Sequence, residues 1–173
     1  MKILVLSYSM TGNNEALAAS IAKELESEHI KVEEPKPRKT GAIFTDLIFN
    51  KTPRVQPKPE VMDNYDLTIL AGPVWISEVA TPLRAYLKYL KTNTLKFAFV
   101  SISGGADHDN PKLPANLKKI SGRDPVAIVD KHIADLLPRD PKPTRKDTGA
   151  YRLNDEDNKN LTAAIVKALK EKI

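Results

Sequence analysis

The sequence contains no cysteine, and this absence excludes several kinds of site at once. A chain of 173 residues without thiols has no disulfide framework, no thiolate metal site and no thiol nucleophile. The three histidines lie far apart in the sequence, which leaves little for a zinc site. A chain of this length needs none of these to fold, because it can bury roughly 70% of its unfolded surface.

Long hydrophobic runs are also absent. No segment approaches the ~20 apolar residues that a membrane-spanning helix needs. The first residues, MKILVLSYSM, turn polar too soon for a secretory signal, so we expect a cytoplasmic protein with no membrane span. The apolar share of 41% and the charged share of 28% are typical of globular proteins, and the length predicts a single domain over residues 1–173.

Basic residues exceed acidic ones, 27 to 22, and the excess is concentrated in two segments. Residues 36–59 hold six basic residues and one aspartate, and residues 139–146 hold four and one. Both segments are rich in proline, so we expect exposed loops. They are either simply solvated or form a docking surface for an anionic partner, and the composition leaves both interpretations open.

Apolar segments of β-type residues alternate with helical patterns along the whole chain. We predict strands at 3–6, 30–34, 67–71, 97–102 and 126–129. Predicted helices follow the first strand, around 17–25, and occupy 43–49, 81–90, 113–120 and the segment after the N-cap Asn154. Residues 51–62 and 132–150 are predicted to be irregular. This alternation predicts an α/β fold, a doubly wound parallel sheet with helices on both faces.

In such a sheet ligands bind beyond the carboxyl ends of the strands, which directs attention to three loops. The first loop, residues 7–14, lies between a strand and a helix, where unpaired N–H groups favour an anion. Gly12 lets the backbone fold tightly, and Ser9 and Thr11 add hydroxyl donors. Because the loop has no lysine, it is not a P-loop, and a phosphate monoester fits it better than a triphosphate.

The second and third loops carry groups suited to a flat ligand. The second, residues 72–77, holds the only tryptophan, Trp75, whose ring could stack on an aromatic ligand or pack on its neighbours. The third, residues 101–110, contains Gly104 and Gly105, which allow the backbone to approach a heterocycle closely. His108 lies in the same loop and is either functional or merely solvated. Together the three loops predict a ligand with a phosphate tail and a flat polar ring system.

The motifs SMTGNN, GPVW and SGG, each placed after a predicted strand, resemble those of the flavodoxin family, and the resemblance covers nearly the whole chain. It implies the flavodoxin-like fold, with a five-stranded parallel sheet in order 2-1-3-4-5, and FMN as cofactor. The phosphate would be wrapped by six residues of the first loop: Ser9, Met10, Thr11, Gly12, Asn13 and Asn14. The flavin ring would be bordered by seven residues of the other two loops: Pro73, Val74, Trp75, Ile76, Ser103, Gly104 and Gly105.

The sequence departs from that family in three respects. Asn14 stands where the family usually has a hydroxyl residue, the third loop lacks the tyrosine that often covers the outer ring face, and the chain is basic where the family's electron carriers are acidic. His108 is the nearest flat substitute for that tyrosine. An uncovered ring face would allow a nicotinamide or quinone to stack on it and exchange a hydride.

These departures favour an FMN-dependent redox protein that leans toward two-electron reduction. The electron donor, possibly NAD(P)H, and the small-molecule or protein acceptor are not specified by the sequence, and we assign no catalytic side chain. The alternative is a non-catalytic binding module of the same fold that docks an anionic partner such as nucleic acid on its basic loops. The low aromatic content of 6% argues against nucleic acid. A receiver-like domain is disfavoured because the first and third strands end without an acidic pair.

Overall fold

A computed structural model describes residues 1–35, 52–106 and 109–173 of the chain. Its strands are β1 (Ile3–Ser7), β2 (Glu28–Lys31), β3 (Leu67–Ala71), β4 (Val74–Trp75), β5 (Glu78–Val79), β6 (Lys96–Ser103) and β7 (Ile128–His132). Its α-helices are α1 (Asn13–Glu24), α2 (Arg84–Leu90), α3 (Leu113–Ser121), α4 (Arg145–Ala150) and α5 (Asp155–Lys170). Three short 3₁₀ helices lie at Pro59–Asn64, Thr81–Leu83 and Ile133–Leu136.

Five strands form one parallel sheet in the order β2-β1-β3-β6-β7. Numbered by their succession in the sheet, this is the order 2-1-3-4-5, and the predicted fold class is confirmed. β4 and β5 stand apart as a small antiparallel hairpin immediately after β3. The winding direction reverses between β1 and β3, so the loops that follow these strands lie where ligands bind in folds of this kind.

Alternate residues of the central strands point to opposite faces of the sheet, and each face is covered by helices. On one face Val5, Ile69 and Val100 pack against α1 and α5. On the other face Leu6 and Phe99, among others, pack against α2 and α3. The result is three layers, with the carboxyl ends of β1, β3 and β6 at one edge, where the three loops follow them.

Several predicted boundaries need correction. The second strand covers 28–31 rather than 30–34, and the last covers 128–132 rather than 126–129. The third loop is shorter than predicted, because β6 continues to Ser103. The segments predicted as irregular contain the 3₁₀ helices at Pro59–Asn64 and Ile133–Leu136 and the short helix α4. The helix predicted at 43–49 lies outside the described residues.

Two helix starts show why these segments fold locally. Asn154 caps α5 as predicted: its side chain accepts the Asp157 amide N–H, and Asp157 reaches back to the Asn154 backbone. The same reciprocal capping box, Thr144 with Asp147, begins α4. Among the described residues no helix is long and apolar enough to cross a membrane.

Candidate functional site

The first loop connects β1 to the N-terminus of α1 through a glycine in the left-handed conformation. Gly12 has φ +89° and precedes the first helical residue. A Cβ built on it would meet no atom of the described residues within 4 Å, so the space in front of this turn is open. The Gly12 N–H donates to Ser9 Oγ at 3.0 Å, which leaves the Ser9 hydroxyl proton to be donated elsewhere.

The two asparagines after Gly12 are buried and hold the first loop to the rest of the molecule. Asn14 Nδ2 donates to the Ile102 carbonyl at 2.8 Å, and its Oδ1 accepts the Ile102 N–H at 3.0 Å. Asn13 forms a similar pair of hydrogen bonds: its Nδ2 donates to the Tyr151 carbonyl at 3.0 Å, and its Oδ1 accepts the Leu153 N–H at 3.1 Å. Both amides therefore act as clamps, and any part that these residues take in holding a phosphate falls to their backbone N–H groups.

The second loop is a hairpin rather than an open loop. Val74 pairs with Val79, Trp75 pairs with Glu78, and Ile76 and Ser77 form a two-residue turn. Both turn residues have positive φ, 52° and 60°, as a type I′ turn requires. Ile76 is β-branched and 77% exposed, so a conformation that costs it energy is held at a solvent-facing tip.

Within the hairpin Trp75 packs on a neighbouring residue, one of the two placements that the sequence left open. Val74 and Ile76 line a cavity beside the third loop. Trp75, which follows Val74 in the strand, points to the opposite side of the hairpin. The Trp75 ring meets the ring of Tyr8, from the first loop, edge to face with the centroids 6.0 Å apart. Pro73 forms the base of the hairpin, where its carbonyl accepts the Ala80 N–H at 3.1 Å. Trp75 thus connects the first and second loops.

The third loop is fixed from behind by the segment that follows β7. The Ala134 N–H donates to the Gly104 carbonyl at 3.0 Å. Gly105 has φ +69°, and a Cβ built there would lie 2.4 Å from the Cβ of His132. A Cβ on Gly104 would lie 3.1 Å from the Thr148 hydroxyl of α4. At Gly105 only glycine lets the backbone come this close to its neighbour, whereas a Cβ on Gly104 would require Thr148 to shift slightly.

A cavity of about 420 Å³ lies between the hairpin and the third loop, and we call it the slot. Five predicted site residues line it, namely Val74, Ile76, Ser103, Gly104 and Gly105. Five further residues complete the described lining, namely Ser77, Ala106, Asn110, Arg145 and Thr148. The predicted residues of the first loop do not line the slot; Asn14 joins that loop to it through Ile102, next to Ser103.

Behind the slot lies a polar cluster centred on His132. Asn110, which lines the slot, donates from Nδ2 to Asp130 Oδ2 at 2.8 Å, and His132 Nε2 lies 3.4 Å from the same oxygen. The hydrogen bond to Asp130 raises the pKa of His132 above its ordinary value, against the opposing effect of burial. Burial alone would raise the pKa of Asp130, but hydrogen bonds from His132 and Asn110 hold it below its ordinary value.

Sequence reasoning missed Asn110, Arg145, Thr148 and the pair Asp130 and His132. The capping box at Thr144 and Asp147 was a usable sign of helix α4, and so of the two residues that α4 contributes. Nothing local marks the pair, because it is the register of β6 with β7 that sets Asp130 beside Ser101 and His132 beside Ser103. His108 and residues 36–51 of the first basic segment lie outside the described residues.

Comparisons with known proteins bear on the fold. No protein-family model and no curated protein sequence matches the chain. Among solved structures, a flavoprotein from Lactobacillus acidophilus NCFM in complex with FMN is 24% identical, with a TM-score of 0.64, over 75% of this chain and 93% of that one. The apo form of a flavoprotein from the same organism is 26% identical, with a TM-score of 0.58, over 76% and 91%.

Oxidised flavodoxin 2 from Bacillus cereus is 17% identical, with a TM-score of 0.56, over the full length of both chains. The resemblance to flavodoxins that the three loop motifs indicated is therefore confirmed at the level of the fold. Similarities of this size show the fold of the chain.

Proposed function

We propose that this chain, which has the flavodoxin-like fold, binds FMN at the edge formed by the three loops and takes part in redox chemistry there. The observation that carries the proposal is the joining of the three loops. Asn14 clamps the first loop to the end of β6, and Tyr8 packs on Trp75 of the second. The hairpin and the third loop enclose the slot. A ligand with a phosphate and a planar ring would reach all three.

The first loop fits a phosphate. The first turn of the 12-residue helix α1 presents N–H groups that have no partner within the helix, and the helix dipole adds partial positive charge there. The open space in front of Gly12 gives a phosphate room, and the hydroxyls of Ser9 and Thr11 can donate to it. A phosphate monoester held by neutral donors is the group that distinguishes FMN from riboflavin.

The slot fits a planar ring with polar edges. Val74 and Ile76 supply an apolar wall, and Gly104 and Gly105 supply backbone groups on the other side. No aromatic side chain occurs among the described lining residues, so a second planar molecule could stack on a ring bound there. Bound FMN would supply the chemistry for two-electron transfer between a reduced nicotinamide and an acceptor. Arg145 also lines the slot, so its positive charge would lie beside a ligand bound there.

The first test is binding of FMN and riboflavin to the apoprotein, followed by quenching of flavin fluorescence. We expect FMN to bind more tightly than riboflavin, and Thr11→Ala to weaken FMN by about tenfold through loss of one hydrogen bond to a charged group. Riboflavin affinity should not change in this variant. Thr94→Ala, which removes the same atoms at an exposed position, is the matched control. A protein that binds neither flavin refutes the proposal.

The second test separates an enzyme from an electron carrier. FMN-loaded protein is mixed rapidly with NADH or NADPH, and loss of the oxidised flavin absorbance is followed. Loss of the oxidised flavin absorbance at a rate within the usual range of enzyme turnover supports two-electron reduction by a nicotinamide. A flavin that binds but stays oxidised with both donors supports a carrier reduced by another protein.

A further inference from the structure

A second cavity lies on the other side of the hairpin from the slot, between α2 and α3. Its volume is about 540 Å³, and it is lined by Glu78, Arg84, Lys88, Lys91, Asn116, Lys119 and Ile120. The hairpin separates the two cavities: Val74, Ile76 and Ser77 line the slot, and Glu78 lines this one. We call it the lysine cavity. None of its residues belongs to the three loops predicted to hold FMN, apart from the hairpin that both cavities share.

The cations of the lysine cavity are arranged by the two helices. Arg84, Lys88 and Lys91 are spaced four and three residues apart, so they lie along one face of α2 and its C-cap. Lys119 faces them from α3. The two helix ends are close together, because a Cβ on Gly122, the C-cap of α3, would lie 3.2 Å from Lys91 Cγ. Four positive groups from two elements therefore border one space.

Only one of these cations is neutralised by the carboxylate of the cavity. The Arg84 guanidinium, 1% exposed, pairs with Glu78. The ion pairs formed within residues 1–35, 52–106 and 109–173 include none of the three lysines. The C-terminal ends of the two helices offset at most about half a charge each, so roughly two positive charges remain. Like charges at this spacing on a helix repel, and a bound anion would relieve that repulsion.

The polar, uncharged lining also favours an anion. Asn116 Oδ1 accepts the Val79 N–H of the hairpin at 3.0 Å, so the hydrogen-bonding capacity that remains to Asn116 is that of its donor nitrogen. Lysine offers donors only, and the single carboxylate is held by Arg84. The cavity thus presents donors and positive charge, which suits a group with several anionic oxygens.

We propose that the lysine cavity binds the diphosphate of a nicotinamide dinucleotide whose nicotinamide reaches the slot across the hairpin. The identity of the ligand rests on the proposed function, because a nicotinamide dinucleotide that donates a hydride at the slot also carries a diphosphate that would have to lie nearby. The negative charge of the diphosphate is suited to the excess of roughly two positive charges in the lysine cavity. The hairpin is six residues long, Val74–Val79, and its adjacent residues Ser77 and Glu78 line the slot and the lysine cavity respectively, so a dinucleotide lying over it would contact both cavities at once.

The site is tested on ¹⁵N-labelled protein loaded with FMN, so that the first loop is filled. The probes are inorganic pyrophosphate and NADP⁺, which carries the diphosphate but no hydride. We expect both to shift the amide resonances of residues 84–91 and 116–122, and each to compete with the other. Sodium chloride at matched ionic strength should not reproduce the pattern. Pyrophosphate that leaves these amides unshifted, or that NADP⁺ does not displace, overturns the proposal.

Two double variants give the matched comparison. Lys88→Gln with Lys119→Gln should weaken NADP⁺ and pyrophosphate by roughly tenfold, as expected for two exposed charge interactions, with FMN affinity unchanged. Lys167→Gln with Lys170→Gln removes the same charge from exposed positions of α5, on the opposite face of the sheet. Equal losses in both variants would mean a general charge effect and would overturn the site. Should FMN fail to bind, pyrophosphate titration of the apoprotein still tests the lysine cavity by itself.

Discussion

The first and third loops both contain a left-handed glycine, and the two glycines have different surroundings. Around Gly12 there is open space, and the turn projects toward solvent at the start of α1. Gly105 is pressed against His132, with no room for a Cβ. The first loop therefore uses glycine to leave a place for a ligand, whereas the third uses it to bring the backbone onto its own support.

This difference separates two meanings of a glycine in a binding loop. A glycine needed for its backbone conformation alone can be replaced by alanine at the cost of strain, while replacing a glycine in close contact adds a steric clash and costs more. Sequence cannot distinguish the two cases, since both read as a glycine after a strand. Substitutions at the two loops can.

The largest effect is expected for Gly105→Ala. The new methyl would overlap His132, and alanine is strained at φ +69°, so we expect about 3 kcal/mol of destabilisation from overpacking and strain together. Urea denaturation measures it. Gly149→Ala in α4, where a Cβ meets nothing within 4 Å of it among the described residues, is the matched control and should be neutral or slightly stabilising. Equal destabilisation in both would contradict the contact argument.

Asn14→Ala should have the next largest effect. It leaves the buried N–H and C=O of Ile102 without their partner, which costs about 2 kcal/mol. Because the same side chain joins the first loop to the end of β6, FMN affinity should fall together with stability. Denaturation and flavin titration measure the two losses. Asn14→Ala that lowered FMN affinity with stability intact would instead indicate that the amide contacts the ligand directly.

Gly12→Ala should cost only about 1 kcal/mol of stability, from left-handed strain without a clash. Its effect on binding should be selective, because the added methyl enters the space expected to hold the phosphate. We expect FMN to bind less tightly and riboflavin to bind as before. A variant that weakens both flavins equally would mean that Gly12 acts on the fold of the loop rather than on the phosphate.

The smallest effect is a pH dependence of stability due to His132. Its pKa is raised in the folded state, so its stabilising contribution is complete below pH about 6.5 and is lost as pH rises through the folded pKa. Burial lowers the pKa of His29, so its contribution has the opposite sign: stability is complete above pH about 6.5 and declines as pH falls toward the folded pKa.

Denaturation across this pH range in two variants separates the contributions. His132→Gln should remove the loss of stability on the alkaline side, and His29→Gln should remove the loss on the acidic side. An unchanged alkaline slope in His132→Gln would show that the cluster behind the third loop is not coupled to folding as described.

Much of the fold could be predicted from the sequence. The apolar runs at Leu4 and Ile69 identified buried parallel strands, and the Asn154 cap identified the last helix, because these patterns record burial and capping locally. The candidate site could be located but not detailed. The neighbour on which Trp75 packs could not be predicted, because the hairpin turn at Ile76 and Ser77 lacks the glycine or asparagine that usually marks such turns.

The sequence by itself determined the five strands of the sheet, the helices α1, α2, α3 and α5 and the three loops at one edge, since hydrophobic periodicity and chain direction are local properties. Only the tertiary structure decided which side chains share a space. Strand register brings together Asn110, Asp130 and His132 behind the slot. Helix packing brings Lys88 close to Lys119 across two helices. Register and packing are fixed by contacts between residues far apart in the chain, which no local pattern records.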